Sequence, residues 1–567
     1  MSRREPINAK HSWWNTISST IYIVRSEEEP VWGCLFTSSY QEKFYMRFLS
    51  YAASLCALLG GMVSCVDLDD FNTSPTHTLA FASDTLALDT VMCGTPGKTY
   101  MFSVKNHASK AVRIPRVWLG RQAQSAFRVN VDGEPLADGT GSNFEIAAND
   151  SMLVFLFAHL PAEEGAAPVA ATDSLYFITE AGVEQHVVLR VVGQPVTTLS
   201  GKVVEGTETL TAERPYHITD SLVVAEGATL MLQPGCKLLF RSGANLVVHG
   251  SLLSLGTHEQ PVVMRSDRLD YMFVDQPYDR VPGGWGGVVL ASESYDNYLS
   301  YTDIHGGDFG LRVDSSDVTR AKLTMENSIV HNTQNHALDI RMANVFVGNS
   351  QITNAGGICL KVRGGDVTLV HCTLGSFSPF SAARGTALDF ANFDGDVRLP
   401  LTGLQFGNCI ITGYKEDEIM GAQSTTHTDD AFAYAFYSCL LNTPKTDPED
   451  PRMLQCLYDQ KPAEVLREKN FANLFNSRTL ISDFRLAAES PAIGTADAEI
   501  TAEFYPTDMN GVDRLTDAKP DMGCYQYVAP PAEEPSASVR REQHRVSASP
   551  FAVWKARLLR ARNRNLY

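Results

Sequence analysis

The chain has 567 residues, a formal net charge of −18 and a sequence pI near 5.2, with 44% hydrophobic and 20% charged residues. This is the composition of a folded chain of several domains, and its acidity excludes a dedicated nucleic-acid binder, which needs a basic face against phosphates. A mean hydropathy of −0.12 excludes a protein that crosses a membrane many times.

The first informative segment begins at Met46. From there the chain reads Met-Arg-Phe-Leu-Ser-Tyr-Ala-Ala-Ser-Leu-Cys-Ala-Leu-Leu-Gly-Gly-Met-Val-Ser-Cys65: one Arg, an apolar run, then small residues before a cysteine. The run is too short to span a bilayer and has the layout of a secretory signal with a processing site. A buried core helix is the competing reading. The segment Met62-Val63-Ser64-Cys65 resembles the lipobox of bacterial lipoproteins. That resemblance implies acylation of Cys65 as the mature N-terminus, a signal peptide over 46–64 and an upstream extension over 1–45 from a mis-called start. Acidic residues behind it, in Val66-Asp67-Leu68-Asp69-Asp70, make 65–75 an acidic tether and resemble a surface-export tag. The expected location is the outer membrane, held by the lipid and facing outward, so the membrane is the first expected partner.

Residues 76–198 read as short strands separated by turn signals, in runs at 78–88, 98–105, 112–119, 126–131, 152–157, 174–178 and 186–192. Several alternate, as in Phe127-Arg128-Val129-Asn130-Val131, and Asp132-Gly133 punctuates them. Seven such runs predict an immunoglobulin-like β-sandwich.

From residue 199 the pattern becomes a repeat. Tyr301-Thr-Asp-Ile304, Asn327-Ser-Ile-Val330, Asn349-Ser-Gln-Ile352, His371-Cys-Thr-Leu374, Asn408-Cys-Ile-Ile411 and Ser438-Cys-Leu-Leu441 share Thr, Ser or Cys at the second place and an apolar fourth. A second column runs through 310–313, 337–340, 358–362 and 387–390. Two strand columns recurring at a coil-sized interval predict a parallel β-helix over 199–528, with about a dozen rungs stacked over about 60 Å. Each coil completes the inner face of its neighbour. The stretch resembles the right-handed parallel β-helix surface proteins of Gram-negative bacteria, both in its entry segment 222–240 and in its closing segment Ser490-Pro-Ala-Ile-Gly494 … Pro520-Asp-Met-Gly-Cys-Tyr525. The fold class expected is therefore all-β: a sandwich followed by a right-handed parallel β-helix. Residues 529–567 follow as a basic tail, read as disordered or as a short amphipathic helix on a membrane or partner.

Within the helix, Cys372, Cys409 and Cys439 occupy the column of Thr302, Ser328 and Ser350, which predicts inward-facing, reduced thiols. Outward positions of the second column read Arg312, Asp339, Lys361 and Asp389, an alternating ion ladder in which Lys and Asp can also look like a lyase base beside a calcium-binding carboxylate. His305 and His331 share a position on neighbouring rungs and could bind a metal or a sugar, but the next members there, Thr353 and Gly375, supply no third ligand. Asp429 and Asp430 are placed like paired hydrolase acids, and Asn392, Asp394 and Asp396 have a calcium-loop flavour. No motif calls for a cofactor, and Ca²⁺ is the ion that the acidic loop would take. The resemblance spans binders, lyases and hydrolases, so fold does not choose among them. The leading expectation is a surface lipoprotein whose wall binds an extended glycan, matrix or a surface protein. The alternative is a polysaccharide lyase or glycoside hydrolase using the same wall.

Overall fold

The structure is a computed structural model that describes residues 71–529, apart from 274, 446–449, 460–467, 475, 477, 517 and 518. The expected extension, signal, lipidated Cys65 and basic tail lie outside the described residues. Within them no helix is long and apolar enough to cross a membrane.

The chain is all-β, an immunoglobulin-like sandwich followed by a parallel β-helix. Alternation drives the sandwich. In Phe127–Val131 and Ser151–Ala158 every second side chain is buried, Val112–Leu119 alternates on either side of Pro115-Arg116, and the inward sets meet in one core that includes Ile114, Val117, Phe127, Val154 and Phe177. Two runs differ from expectation. The run at 78–88 divides into Ala80–Phe81 and Thr85–Ala87, which join different sheets. Thr140–Ile146 is a strand that the polar, Gly-containing sequence conceals, since only Phe144 and Ile146 turn fully inward. It forms because it pairs antiparallel with Val112–Leu119.

The β-helix has three walls, one more than the two columns disclosed. The first two share a 17-stranded sheet, because strands such as Leu338–Gly348 and Leu360–Val370 run along one wall, bend and continue along the next. The bend falls at Met342 (φ 40°) in one and at Gly364 and Gly365 (φ 72° and 95°) in the other. The third wall is an 11-stranded sheet that includes Thr302–His305, Ile329–His331, Gln351–Thr353, Thr373–Ser376 and Ile410–Gly413. Eleven rungs at the parallel-strand spacing give a stack of about 50 Å.

The recurring tetrapeptide marks the corner before the third wall. Its first residue is left-handed every time: Tyr301, Asn327, Asn349, His371, Asn408 and Ser438 have φ between 42° and 55°. Its second residue points inward and links rungs. The Thr302 N–H donates to Ser328 Oγ (3.0 Å), Ser328 N–H to Ser350 Oγ (3.1 Å), and Cys372 N–H to Cys409 Sγ (3.3 Å). Cys372, Cys409 and Cys439 are buried and free, as expected, and Gln455-Cys456 (Gln455 φ 55°) extends the same corner by one rung.

The closing segment does not cap the stack. The described residues of 471–527 fold back over the outer face of the third wall as a strap, burying Phe377, Ile410 and Leu440 of the coils against Phe471, Phe484, Met522 and Tyr525. The corner residues anchor it. Arg514 donates to Asn349 Oδ1 (2.8 Å), the Asp497 N–H donates to Asn408 Oδ1 (2.8 Å), and Tyr525 Oη donates to Gln351 Oε1 (3.0 Å). His371 is fully buried between wall and strap. Its Nδ1 lies 3.2 Å from the Gly523 carbonyl, and Asn408 Nδ2 lies 3.0 Å from its Nε2. Those partners suit a neutral ring that donates at Nδ1 and accepts at Nε2. Burial first, then the charge of Arg514, hold its pKa well below the ordinary histidine value.

The sign of the pH effect follows. The unfolded chain takes up a proton near pH 6.5 and the folded chain does not, so the stability associated with His371 is complete above that pH and is lost as the pH falls. Thermal or denaturant melts between pH 6.5 and 5 should show the wild type losing about 2 kcal/mol more than His371→Asn, since one proton costs about 1.4 kcal/mol per pH unit. Asn occupies the equivalent corner at 327, 349 and 408, so that variant keeps the left-handed turn.

Candidate functional site

The outward face of the third wall carries a cluster of titratable side chains where the strap gives way to an insertion at 267–286. Asp303 and His305 lie two residues apart on one strand and therefore share a face. Parallel register sets His331 beside His305, with ring centroids 4.9 Å apart and planes at 35°. Asp303 Oδ1 lies 2.8 Å from His305 Nδ1 and 3.1 Å from His331 Nε2, so one carboxylate joins both rings. The insertion folds its short turn Tyr278–Arg280 over the pair. It is tied down by Asn332 Nδ2, which donates to the Arg280 carbonyl (2.9 Å). Arg280 Nη1 then lies 3.1 Å from His331 Nε2. Asp279 lies 3.1 Å from Arg265 and 3.6 Å from His305 Nε2, the latter longer than a hydrogen bond.

Burial is graded across the cluster. The side chain of His305 is 2% exposed, that of His331 12% and that of Asp303 22%. Burial opposes ionisation of Asp303, but the charges of His305 and His331 and their hydrogen bonds outweigh it and hold the carboxyl well below the usual range. Asp279 is depressed likewise, by His305, Arg265 and Arg280 against the cost of burial. The two imidazoles part company. Burial lowers both, yet Asp303 overcomes it at His305, whose pKa rises, and not at His331, whose pKa falls. Two atoms lack hydrogen-bond partners, His305 Nε2 and Asp279 Oδ1.

The cluster opens into a cleft of about 610 Å³ between wall and strap. Asn332, Gln351, Thr353 and Asn354 line the wall side, and Asp483, Arg485, Asn510 and Tyr525 line the strap side. His331, Asp303 and Arg280 stand at one end.

The other expected sites do not assemble. On the first wall Asp339 and Lys361 do meet (3.4 Å), but Arg312 turns to Asp314 (3.2 Å) and Asp389 to Arg363 (2.8 Å), so the ladder breaks into local pairs. Asp430 accepts from Arg398 Nε (2.9 Å), while Asp429 faces solvent, so they are not a convergent acid pair. The three calcium-loop residues do not converge on one point. Asn392 is buried with its amide engaged by Ser424, Asp430 and Ala431, Asp394 pairs with Arg341, and Asp396 is exposed in a hairpin turn. His305 and His331 do come together as their shared column predicted. The third ligand, Asp303, lies on the same strand as His305 and not at the matching position of the next rungs, where Thr353 and Gly375 stand. Strict two-residue alternation from His305 points to it. Nothing in the spacing signals Asp279 or Arg280, which reach the wall from an insertion.

No protein-family model and no curated protein matches the sequence. Among solved structures, the catalytic unit of a GH87 α-1,3-glucanase from Streptomyces thermodiastaticus overlaps 68% of this chain and 80% of its own, at 11% identity and a TM-score of 0.26. A family 123 glycoside hydrolase from Clostridium perfringens overlaps 24% of this chain and 31% of its own (8% identity, TM-score 0.17). The CooA pilin subunit from enterotoxigenic Escherichia coli overlaps 21% and 99% (14%, 0.16). Overlaps at these TM-scores carry no argument about what this chain does.

The charged first wall has a definite expected behaviour. Lys361 is partly exposed and paired only with Asp339, so Lys361→Ala should lower unfolding free energy by less than about 1 kcal/mol. Denaturant melts in low and high salt measure it, and a loss of several kcal/mol would mean that the pair is structurally coupled beyond what the wall shows.

Proposed function

We propose that the protein is a lipid-anchored surface protein that binds glycan in the cleft between the third wall and the strap. The observation that carries this reading is the lining of that cleft. Side-chain amides, a hydroxyl, Arg280, Arg485, Asp303 and His331 offer donors and acceptors from two opposed sides of an open trough. Hydroxyl-rich ligands are recognised by such sets. Binding stands ahead of turnover in this reading, because the expected catalytic groups are held by local partners: Asp430 by Arg398 and Lys361 by Asp339. His331, whose pKa burial lowers, is what favours the lyase or hydrolase alternative, since an imidazole in its neutral form is able to accept a proton.

Arg485 is largely exposed and held only by Asp483, so its removal should leave the fold intact. Binding of the full chain to a panel of uronate-containing and neutral polysaccharides, followed by affinity electrophoresis, should retain at least one of them. Arg485→Ala should weaken that retention at least fivefold with an unchanged melting temperature. Absence of retention across the panel sinks the reading, and new reducing ends or unsaturated products would replace it with the enzymatic one.

The anchor is proposed on the lipobox-like sequence alone. In a Gram-negative host a fatty-acid probe should label the wild type and leave Cys65→Ala unlabelled; label that persists in the variant overturns the assignment.

A further inference from the structure

We propose that Asp303, His305 and His331 bind one divalent transition-metal ion of the Zn²⁺ class, with Asp279 orienting one of the ligands. This is independent of the glycan reading, because the ion would be held by the wall whatever occupies the cleft.

The donor set comes first. Two imidazoles and one carboxylate suit a borderline cation such as Zn²⁺ rather than Ca²⁺ or Mg²⁺, which prefer oxygen. One ligand atom from each of the three residues lies within 4.8 Å of the other two. Donors around a tetrahedral Zn²⁺ at about 2.0–2.1 Å stand about 3.4 Å apart. Asp303 Oδ1 is 2.8 Å from His305 Nδ1 and 3.1 Å from His331 Nε2, so these two edges need open by only a few tenths of an ångström to admit the ion. Three protein donors leave a fourth position, and the cluster opens onto the cleft through His331 and Asp303.

The second observation is His305 itself. It is nearly completely buried, and its Nε2 has no hydrogen-bond partner. That nitrogen faces Asp279 Oδ2 at 3.6 Å. When Nδ1 binds the ion in place of its proton, the proton on Nε2 is fixed and a small closure makes the carboxylate–histidine–metal arrangement that orients metal-bound imidazoles.

One group opposes the ion. Arg280 Nη1 lies 3.1 Å from His331 Nε2 and, whenever that nitrogen carries no proton for Asp303, competes with the ion for its lone pair. It has somewhere to go, because Asp279 Oδ1 lacks a hydrogen-bond partner and Arg280 Nε is 3.9 Å from it. Arg280 therefore acts as a competitor whose removal should strengthen the site. A surface that binds metal adventitiously would show no such response.

The test is titration of the full chain, without a polyhistidine tag and after treatment with chelator, by Zn²⁺ in a calorimeter, and by Co²⁺ with visible absorption as the readout. One Zn²⁺ per chain is expected, with Co²⁺ bands of a nitrogen- and oxygen-ligated ion of low coordination number. Asp303→Asn and His331→Ala should each weaken Zn²⁺ at least tenfold. Asp279→Asn should weaken it about 10- to 100-fold, the range for second partners of ligands, and Arg280→Gln should tighten it several-fold. Asp303→Asn keeps the side-chain shape and Arg280 is partly exposed, so these two keep the test decisive if His331→Ala does not fold. The proposal is overturned if the wild type takes up no Zn²⁺. It is equally overturned if folded Asp303→Asn binds as the wild type does, or if Arg280→Gln binds more weakly.

Discussion

The corner before the third wall is the constraint on which the rest of the helix depends. Each coil must turn sharply from one sheet into the next without leaving buried N–H and C=O groups unpaired. The solution repeats. A left-handed residue reverses the chain, and an inward Thr, Ser or Cys then uses its side chain twice. Ser328 Oγ donates to the Glu326 carbonyl two residues earlier and accepts from the Thr302 N–H one rung back. Cys409 repeats both contacts through sulfur, to the Gly407 carbonyl and from the Cys372 N–H. Each bond contributes about 1 kcal/mol, but the cost of leaving either group unpaired in the core is larger, so the side chain at this place is restricted to a small donor-acceptor. Asn, His and Ser dominate the preceding place because few other residues enter the left-handed region at modest cost.

That corner also decides what can lie outside the wall. Asn349 and Asn408 turn their amides outward, where the strap bonds to them, and His371 fills the position between. Over these rungs the outer face mixes Gln351 and Thr373, which bond to the strap, with Ile410 and Leu440, which pack beneath it. Toward the earlier rungs the same outward positions carry Asp303, His305 and His331 instead, and cover passes from the strap to the insertion at 267–286. The cleft is the seam between the two covers.

How much was legible follows from what each feature depends on. The first residue and the hydroxyl-or-thiol second residue of the corner repeat in sequence, so the helix, the register of His305 with His331 and the buried thiols could all be read. The second wall could not, because strands such as Leu360–Val370 carry two walls in one run and the bend at Gly364-Gly365 looks like an ordinary turn. The strap could not either. Its Pro520-Asp-Met-Gly-Cys-Tyr525 motif is recognisable, yet only tertiary contacts with Thr373 and Asn408 reveal that it lies along the stack rather than across its end. At the site, local pairing defeated the expectation for Asp389 and Asp430: Arg363 and Arg398 are close enough in space to neutralise them, and sequence spacing does not show that.

The His–Asp cluster is not what the wall's stability requires. A buried charged pair is repaid only when every polar atom finds a partner, and a hydrophobic row of similar volume is commonly as stable or more so. This wall demonstrates the cheaper solution a few rungs on, at Ile410 and Leu440. At Asp303 it holds instead two carboxylates, two guanidinium groups and two imidazoles, of which His305 Nε2 and Asp279 Oδ1 are without hydrogen-bond partners. Nor does the cluster serve to attach the insertion, since the Asn332 amide and the Gly306 and Gly307 backbone already do that through the Arg280 carbonyl and the N–H groups of Gly284 and Gly283. The arrangement opposes charge to charge tightly enough to fix ring orientation, and it leaves the inner imidazole incompletely satisfied. Such a balance suits a site that changes partners on binding better than one that only holds two coils together.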